Sequence, residues 1–278
     1  GYRPILDAAK TFSKDKNCNN QNSNCVSSCN TKLFEISEFK PYDPNLDIPF
    51  PQDLMKNEFE EPFFVSSNGI SWIEPITVDQ LIKLKKKFPD AKLVGGNTEI
   101  SIEMKFKKAD YKTLINISNI KEFRNINIEN VDGKKILVIG ANITLTDLIN
   151  QLNKIKNNQE KHCINLFDAF LHNLRYFGSR QVRNFATLAG NIITGSPISD
   201  LTPILIANEA NLVFLSEEKG LRNIKIRDFY TGYRKNELKS DEILIKIEIN
   251  LPENNIEIVK AYKQAKRRED DTSIVNSC

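Results

Sequence analysis

The chain has 278 residues, with 39 Lys and Arg against 36 Asp and Glu, a net charge of +3, 40% hydrophobic residues and five cysteines. That is long enough for one large domain or two ordinary ones, and too evenly charged for a polyanion binder working by bulk positive charge, so no nucleic-acid partner is expected. No apolar run approaches the roughly 20 residues of a membrane-spanning helix; the longest, Ile136–Ala141 and Ile204–Ala207, read as core, and no membrane partner is expected. The odd, sparse cysteine set argues against a disulfide scaffold and for a reducing compartment. The start at Gly1, without Met or a charged apolar leader, leads us to expect a processed chain or a piece of a longer one.

In chain order, Gly1–Phe12 reads as a short, helical end, and Ser13–Thr31 has too few apolar residues to offset the entropy of ordering it, which makes it a linker by composition. Pro41, Pro44, Pro49, Pro51 and Pro62 punctuate an extended region that cannot hold a long helix. Ser71–Ile76 alternates like a strand. Thr77 then caps a helix over Val78–Phe88, in which Val78, Leu81, Ile82 and Leu84 recur at helical spacing, and Pro89 with Asp90 stops it. Ala91–Val94 is a short strand running into Gly95-Gly96, so this stretch has the strand–helix–strand order of an α/β unit. Strands are expected at Leu114–Ile117 and Lys135–Gly140, and helices at Leu145–Lys156 and at Phe167–Phe177, the second with an apolar face of Phe167, Phe170, Leu171 and Leu174. Asp200 precedes a helix through Asn208 with Pro203 in its first turn, and Asn211–Leu215, Leu221–Ile226 and Ile243–Ile249 read as strands of a second sheet.

Two segments carry chemistry. In Leu93-Val94-Gly95-Gly96-Asn97-Thr98-Glu99-Ile100 a strand ends in two glycines, which can turn tightly and converge backbone N–H groups on an anion such as a diphosphate. The same residues are compatible with an ordinary strand-to-helix turn, and neither the G-x-G-x-x-G fingerprint nor the P-loop pattern is present. In 185–200, Thr187, Leu188, Ala189, Gly190 and Asn191 are followed by Gly195 and Asp200; the small and hydroxylated residues suit a bound polar group. Asp200 offers a carboxylate either to sugar hydroxyls or to a helix N-terminus as its cap. Other clusters say less. Cys18, Cys25 and Cys29 lack zinc-site spacing, His162 and His172 lack spaced partner ligands, and no metal site is expected. Lys83, Lys85, Lys86 and Lys87 read as the solvated face of a helix. Lys105–Lys108 places three lysines beside Phe106 without a wider basic-aromatic pattern, and Lys266–Asp271 switches abruptly from basic to acidic.

Taken together, LVGGNTEI (Leu93–Ile100), LRYFGSRQVRNFATLAGNIITGSPISDLTP (Leu174–Pro203), TGYRK (Thr231–Lys235) and KQAKRREDD (Lys263–Asp271) resemble the flavin domain of the molybdenum hydroxylases, that is, of xanthine dehydrogenases and their aldehyde oxidase relatives. GYRPILDAAKTF resembles the end of that family's [2Fe–2S] domain. The resemblance implies a mixed α+β or α/β fold, an FAD-binding domain of the vanillyl-alcohol oxidase (PCMH) type with two α/β subdomains. It also implies a division into 1–12 as the end of a [2Fe–2S] domain, 13–64 as linker, 65–260 as the FAD-binding domain split near 120, and 261–278 as the start of a further flavin subdomain.

Carried over by motif, Leu93–Ile100 should cradle the FAD diphosphate and Phe177 should lie against the isoalloxazine. Thr187–Asn191 and Asp200 should hold phosphate and sugar groups, and Leu244 and Lys263 should approach the flavin. The family often has Ser at Thr187, Val at Gly95 and Ala at Gly195, changes that keep a hydroxyl or a small residue. Glu99 is the awkward member, because a carboxylate beside a diphosphate repels it unless it is turned away or lies near the flavin ring. The acidic turn resembles that of xanthine dehydrogenases more than that of aldehyde oxidases, with Tyr233 and Asp270 on an NAD-facing side. The resemblance further implies 2Fe–2S clusters and molybdopterin elsewhere in the full protein, a purine substrate there, a homodimer, and a cytoplasmic or peroxisomal location. The rival readings are an aldehyde oxidase that reduces O2 and a non-catalytic module that kept this fold.

Overall fold

The computed structural model describes residues 3–11, 40–55, 61–159, 161–253, 257–267 and 270–278. The chain divides into two compact units, Gly1–Asn57 and Glu58–Cys278. The first holds helix α1 (Arg3–Thr11), a 3-10 turn over Pro44–Leu46 and the short helix α2 (Gln52–Met55). Asp43 starts the 3-10 turn by accepting from the Asn45 amide at 2.9 Å, and the prolines keep 40–55 free of any long helix, as their missing N–H groups require. Cys18, Cys25 and Cys29 lie outside the described residues.

The second unit opens with strands β1 (Phe63–Ser67) and β2 (Ile70–Glu74), helix α3 (Val78–Lys87), strand β3 (Lys92–Val94), helix α4 (Ile100–Phe106) and strand β4 (Thr113–Asn116). They form a four-stranded sheet in the order β1-β2-β4-β3, in which β4 runs parallel to both β2 and β3. Parallel pairing is what a strand–helix–strand crossover produces. Thr77 starts α3 with a complete capping box: its hydroxyl accepts from the Gln80 amide, and the Gln80 side chain returns to the Thr77 N–H. Ile73, Leu81, Ala91, Ile115, Ile117 and Phe123 pack into a small core beneath this sheet.

Next come β5 (Ile126–Val131), β6 (Lys134–Gly140), α5 (Leu145–Lys156), α6 (Lys161–Arg175), α7 (Arg180–Arg183), α8 (Leu188–Thr194) and α9 (Thr202–Ala207). The chain continues through β7 (Asn211–Ser216), β8 (Gly220–Lys225), α10 (Ile226–Phe229), β9 (Tyr230–Gly232), β10 (Lys235–Asn236) and β11 (Ile243–Asn250). Strands β12 (Tyr262–Ala265) and β13 (Ser273–Ser277) form a closing hairpin. Five of these strands make an antiparallel sheet in the order β5-β6-β11-β7-β8. Its main core is built from Leu137, Ile139, Leu148, Phe167, Phe170, Phe214 and Ile247, all fully buried, together with further residues of α5, α6 and α9. Ile243 of β11 belongs instead to the small core, so the central strand of the second sheet also packs against the first layer.

The expected strands and helices at Ser71–Ile76, Val78–Phe88, Lys135–Gly140 and Leu145–Lys156 are present within a residue or two. Helix α6 begins six residues before the expected Phe167, because His162 and Cys163 extend it although they add little periodic apolar signal. The lysine run needs a correction. Lys83, Lys86 and Lys87 are exposed, but Lys85 is only 7% exposed. It sits one turn beyond the buried Leu81, and its Nζ donates to the Pro89 carbonyl at 2.6 Å and the Ala91 carbonyl at 2.9 Å. Its alkyl stem packs under the helix while the amine satisfies the carbonyls of the chain leaving α3. Burial lowers its pKa from the ordinary lysine value. Lys85→Met removes the donor for two carbonyls, and unfolding titrations should show a loss of about 1–3 kcal/mol, whereas Lys83→Met should change little.

Candidate functional site

Strand β3 is held by its parallel partner through Val94, whose carbonyl accepts from Ile117 N–H at 2.9 Å, and immediately beyond it the chain enters Gly95-Gly96-Asn97-Thr98. Asn97 adopts a left-handed φ of 58°. Among the described residues, the amides of Gly96, Asn97 and Thr98 donate to no protein group. Free amides at successive positions of a tight turn are what an anion needs.

The two glycines differ in what they touch: Gly96 meets backbone and Gly95 meets side chains. An ideal Cβ on Gly96 would lie 1.6 Å from the Phe185 carbonyl oxygen, and one on Gly95 would lie 2.6 Å from Asn142 Oδ1 and 3.1 Å from Thr187 Oγ1. The first glycine-rich loop is therefore pressed, backbone to backbone, against the second chemistry-bearing segment. Asn142 is 2% exposed, and its Oδ1 has no hydrogen-bond partner, while its Nδ2 donates to the Ile117 carbonyl at 3.2 Å. Asn142 Oδ1 is a buried acceptor beside Gly95 that no protein donor satisfies.

The second segment is fixed at its entrance by Leu145 N–H donating to the Ala186 carbonyl at 2.9 Å. Thr187 caps α8 by accepting from Gly190 N–H at 3.1 Å, and Gly195, with φ 59°, ends that helix. Ser199 Oγ donates to Asn191 Oδ1 at 2.7 Å and accepts from Thr202 N–H at 3.2 Å. Ser199 Oγ thus serves the first amides of α9, whose N-cap position is Leu201, and the reading of Asp200 as its N-cap is corrected. Asp200 is 6% exposed and committed elsewhere. Its Oδ2 meets Lys263 Nζ at 2.8 Å, and its Oδ1 accepts from the Ser273 hydroxyl. Lys263 Nζ also donates to the Tyr176 carbonyl at 2.7 Å and the Asp271 carbonyl at 2.9 Å. One buried ammonium thereby ties the end of α6, the turn before α9 and the β12–β13 hairpin together.

Phe177 follows α6, half-buried against the main core. Its exit is set by Gly178 at φ 49° and by Arg183, whose Nη1 donates to the carbonyls of Phe177 (3.0 Å) and Gly178 (2.6 Å). Glu99 is turned toward cations: Arg234 Nη1 lies 2.9 Å away and Lys107 Nζ 3.6 Å away. The hydrogen bond to Glu99 holds the Arg234 pKa above its ordinary value. That pairing answers the repulsion a carboxylate would otherwise bring to the loop.

The structure thus joins Gly95, Gly96, Thr187 and Gly190 in one contact set and Asp200 with Lys263 in another. Leu244 lies inside the main core at 3% exposure, whereas Tyr233 (76% exposed) and Asp270 are on the surface. Of the charged turn, Arg268 and Glu269 lie outside the described residues, and Asp271 accepts from Arg267 Nε at 3.3 Å. Among the described residues no group of three or more His, Cys, Asp or Glu could hold a metal ion, and His172 lies edge-on against Tyr176 at 5.6 Å. Asn142 and Ser273 lie in no motif singled out in the sequence, and Arg183, inside the Leu174–Pro203 motif, had no role assigned to it; only the tertiary contacts bring them here.

A glycine-rich loop with free amides, packed against a second segment of small and hydroxylated residues, is the arrangement of an α/β module for a phosphate-bearing cofactor. Residues 66–252 match the family described as the FAD binding domain in molybdopterin dehydrogenase. The chain is 41% identical over 241 residues to a xanthine dehydrogenase of Blastobotrys adeninivorans, covering 86% of this chain and 17% of that protein. It is 36% identical over 311 residues to a xanthine dehydrogenase/oxidase of Gallus gallus, covering 99% and 22% respectively. This chain belongs to that FAD-binding domain family, an oxidoreductase family, and it spans at most 22% of the length of these relatives. The fold recurs in a carbon monoxide dehydrogenase from Hydrogenophaga pseudoflava (TM-score 0.60, 24% identity, 72% of this chain and 65% of that one). It recurs also in quinoline 2-oxidoreductase from Pseudomonas putida 86 (TM-score 0.59, 20% identity, 76% and 67%).

The loop fits the diphosphate of FAD: Gly96 has no room for a Cβ against the Phe185 carbonyl, and the amides of Gly96, Asn97 and Thr98 are free to donate to an anion. The Asp200–Lys263 pair supports this arrangement from behind. Lys263→Met would leave Asp200 as an uncompensated buried charge, and we expect a loss of about 3–5 kcal/mol in chemical unfolding, partly recovered when Asp200→Asn is added.

Proposed function

We propose that this chain is the flavin-carrying part of a xanthine dehydrogenase-type oxidoreductase. In the full-length protein, electrons taken from hypoxanthine or xanthine at a molybdenum centre would reach this domain through 2Fe–2S clusters and leave to NAD, or to O2 in an oxidase form. The observation that supports it most is the backbone contact of Gly96 with Phe185 and Ala186, beside the free amides of Gly96, Asn97 and Thr98, inside a family-matched FAD-binding domain. FAD supplies the redox chemistry when bound.

In this reading the protein's residues bind and orient the cofactor. Leu93–Ile100 receive the diphosphate, with Glu99 neutralised by Arg234 and Lys107 so that its charge does not oppose an anion. Thr187, Leu188, Ala189, Gly190 and Asn191 form the opposite wall. Phe177, fixed by Arg183, offers a flat apolar face to the isoalloxazine. Asp200 and Lys263 hold the walls in register, and Leu244 backs the site from the core. The charged turn with Asp270, and the exposed Tyr233, supply the NAD-facing side.

Two measurements test the reading. Gly96→Ala in the full-length protein should purify with at least about tenfold less flavin absorbance, because a Cβ there cannot coexist with the Phe185 carbonyl; full FAD retention would contradict the cradle. Reduced full-length protein mixed with NAD under anaerobic conditions should yield NADH, whereas reoxidation by O2 alone would favour the aldehyde oxidase alternative.

A further inference from the structure

An FAD molecule carries two flat ring systems, one at each end of its diphosphate, and the site described so far offers a surface to only one of them. Phe177 is placed for the isoalloxazine; no residue has been placed for the adenine. The structure holds an unused aromatic next to the cradle. Phe185 has 64% of its surface exposed, although its backbone is among the most constrained in the region.

Its N–H donates to the Val182 carbonyl at 3.1 Å, and the next amide, Ala186, donates to the same carbonyl at 2.8 Å. Its own carbonyl abuts Gly96, 1.6 Å from where a Cβ would stand. The preceding residues are occupied as well: Arg183 holds the Phe177 and Gly178 carbonyls, and Asn184 Oδ1 accepts from the Thr146 hydroxyl at 2.7 Å. The ring is therefore presented to solvent by a fixed backbone rather than by a fraying loop, with Val182, 37% exposed, nearby in the chain.

A single exposed phenylalanine is ordinary on a protein surface. This one is separated by one backbone contact from three free amides. Anion-binding amides beside an open aromatic face are the pair of features a nucleotide requires, one for phosphate and one for the base. A pre-positioned aromatic also loses little conformational entropy when a base stacks on it. We propose that Phe185 is the stacking surface for the adenine ring of FAD, so that the 177–185 segment carries an aromatic at each end, one for each ring system. The inference rests on the flavin reading above.

FMN separates the two claims, since it has the isoalloxazine and one phosphate but no adenylate. Deflavinated full-length protein is titrated with FAD and with FMN, following flavin fluorescence, for the wild type, Phe185→Ala and Phe185→Trp. Phe185→Ala should weaken FAD binding by roughly 5- to 150-fold, the range of one lost base stack. FMN binding should stay within about twofold of wild type, and Phe185→Trp should restore FAD affinity. Unchanged FAD affinity in Phe185→Ala overturns the proposal, as does an equal loss of FAD and FMN, which would assign Phe185 to loop structure instead. If the wild type takes up neither flavin, the flavin reading itself fails.

Discussion

The close approach of Gly95 and Gly96 to the 185–187 segment is the constraint on which the rest depends. A strand of the first sheet ends there, Gly96 meets the Phe185 and Ala186 backbone directly, and Gly95 meets the Thr187 side chain. At Gly96 the packing leaves no room for even one methyl group, and the amides of Gly96, Asn97 and Thr98 stay free of protein partners. Both sheets must be in place before that contact exists. The β11 strand, whose Ile243 packs in the small core while Leu244 and Ile247 pack in the large one, aligns them.

A second device holds the far side of the cleft. Lys263 has one strong acceptor on each of three chain segments, and Asp200 neutralises it in a nearly dry environment. Such a pair contributes little net stability compared with an apolar substitute, yet removing one partner is costly, so it specifies geometry more than it adds strength. Arg183 acts similarly on a smaller scale, with one nitrogen bridging two consecutive carbonyls across the left-handed Gly178. Glu99 fits the same logic, because its charge is spent on Arg234 and Lys107 beside a loop that needs to attract an anion.

Local patterns were legible where one short-range rule dominates. Thr77 with Gln80, the periodic leucines of α3, the apolar run of β6 and the alternation in β11 each announce their element, since caps and periodicity act within a few residues. The Gly95-Gly96 and Thr187–Asn191 segments could be marked as polar-ligand loops from composition. Lys85 was misplaced because its charge suggests solvent, while its position one turn after Leu81 puts it on the buried face, where two carbonyls await a donor. Asp200 precedes α9 as a cap would, but the N-cap position falls at Leu201, Ser199 Oγ accepts from the amides of Leu201 and Thr202, and a lysine 63 positions away claims the Asp200 carboxylate.

The amino-acid sequence by itself determined the kinds of elements, their order, the two glycine-rich segments and, through long ordered motifs, the family. Those features are written in short-range propensity, in apolar periodicity and in residue identity. Only the tertiary structure decided that the two segments touch, that Asn142 is left with an unpaired carbonyl, that Glu99 faces arginine and lysine, and that the Phe185 carbonyl packs on Gly96 while its ring stays exposed. Each of these depends on a contact between residues far apart in the chain, and such contacts follow from how two cores pack together rather than from any local rule.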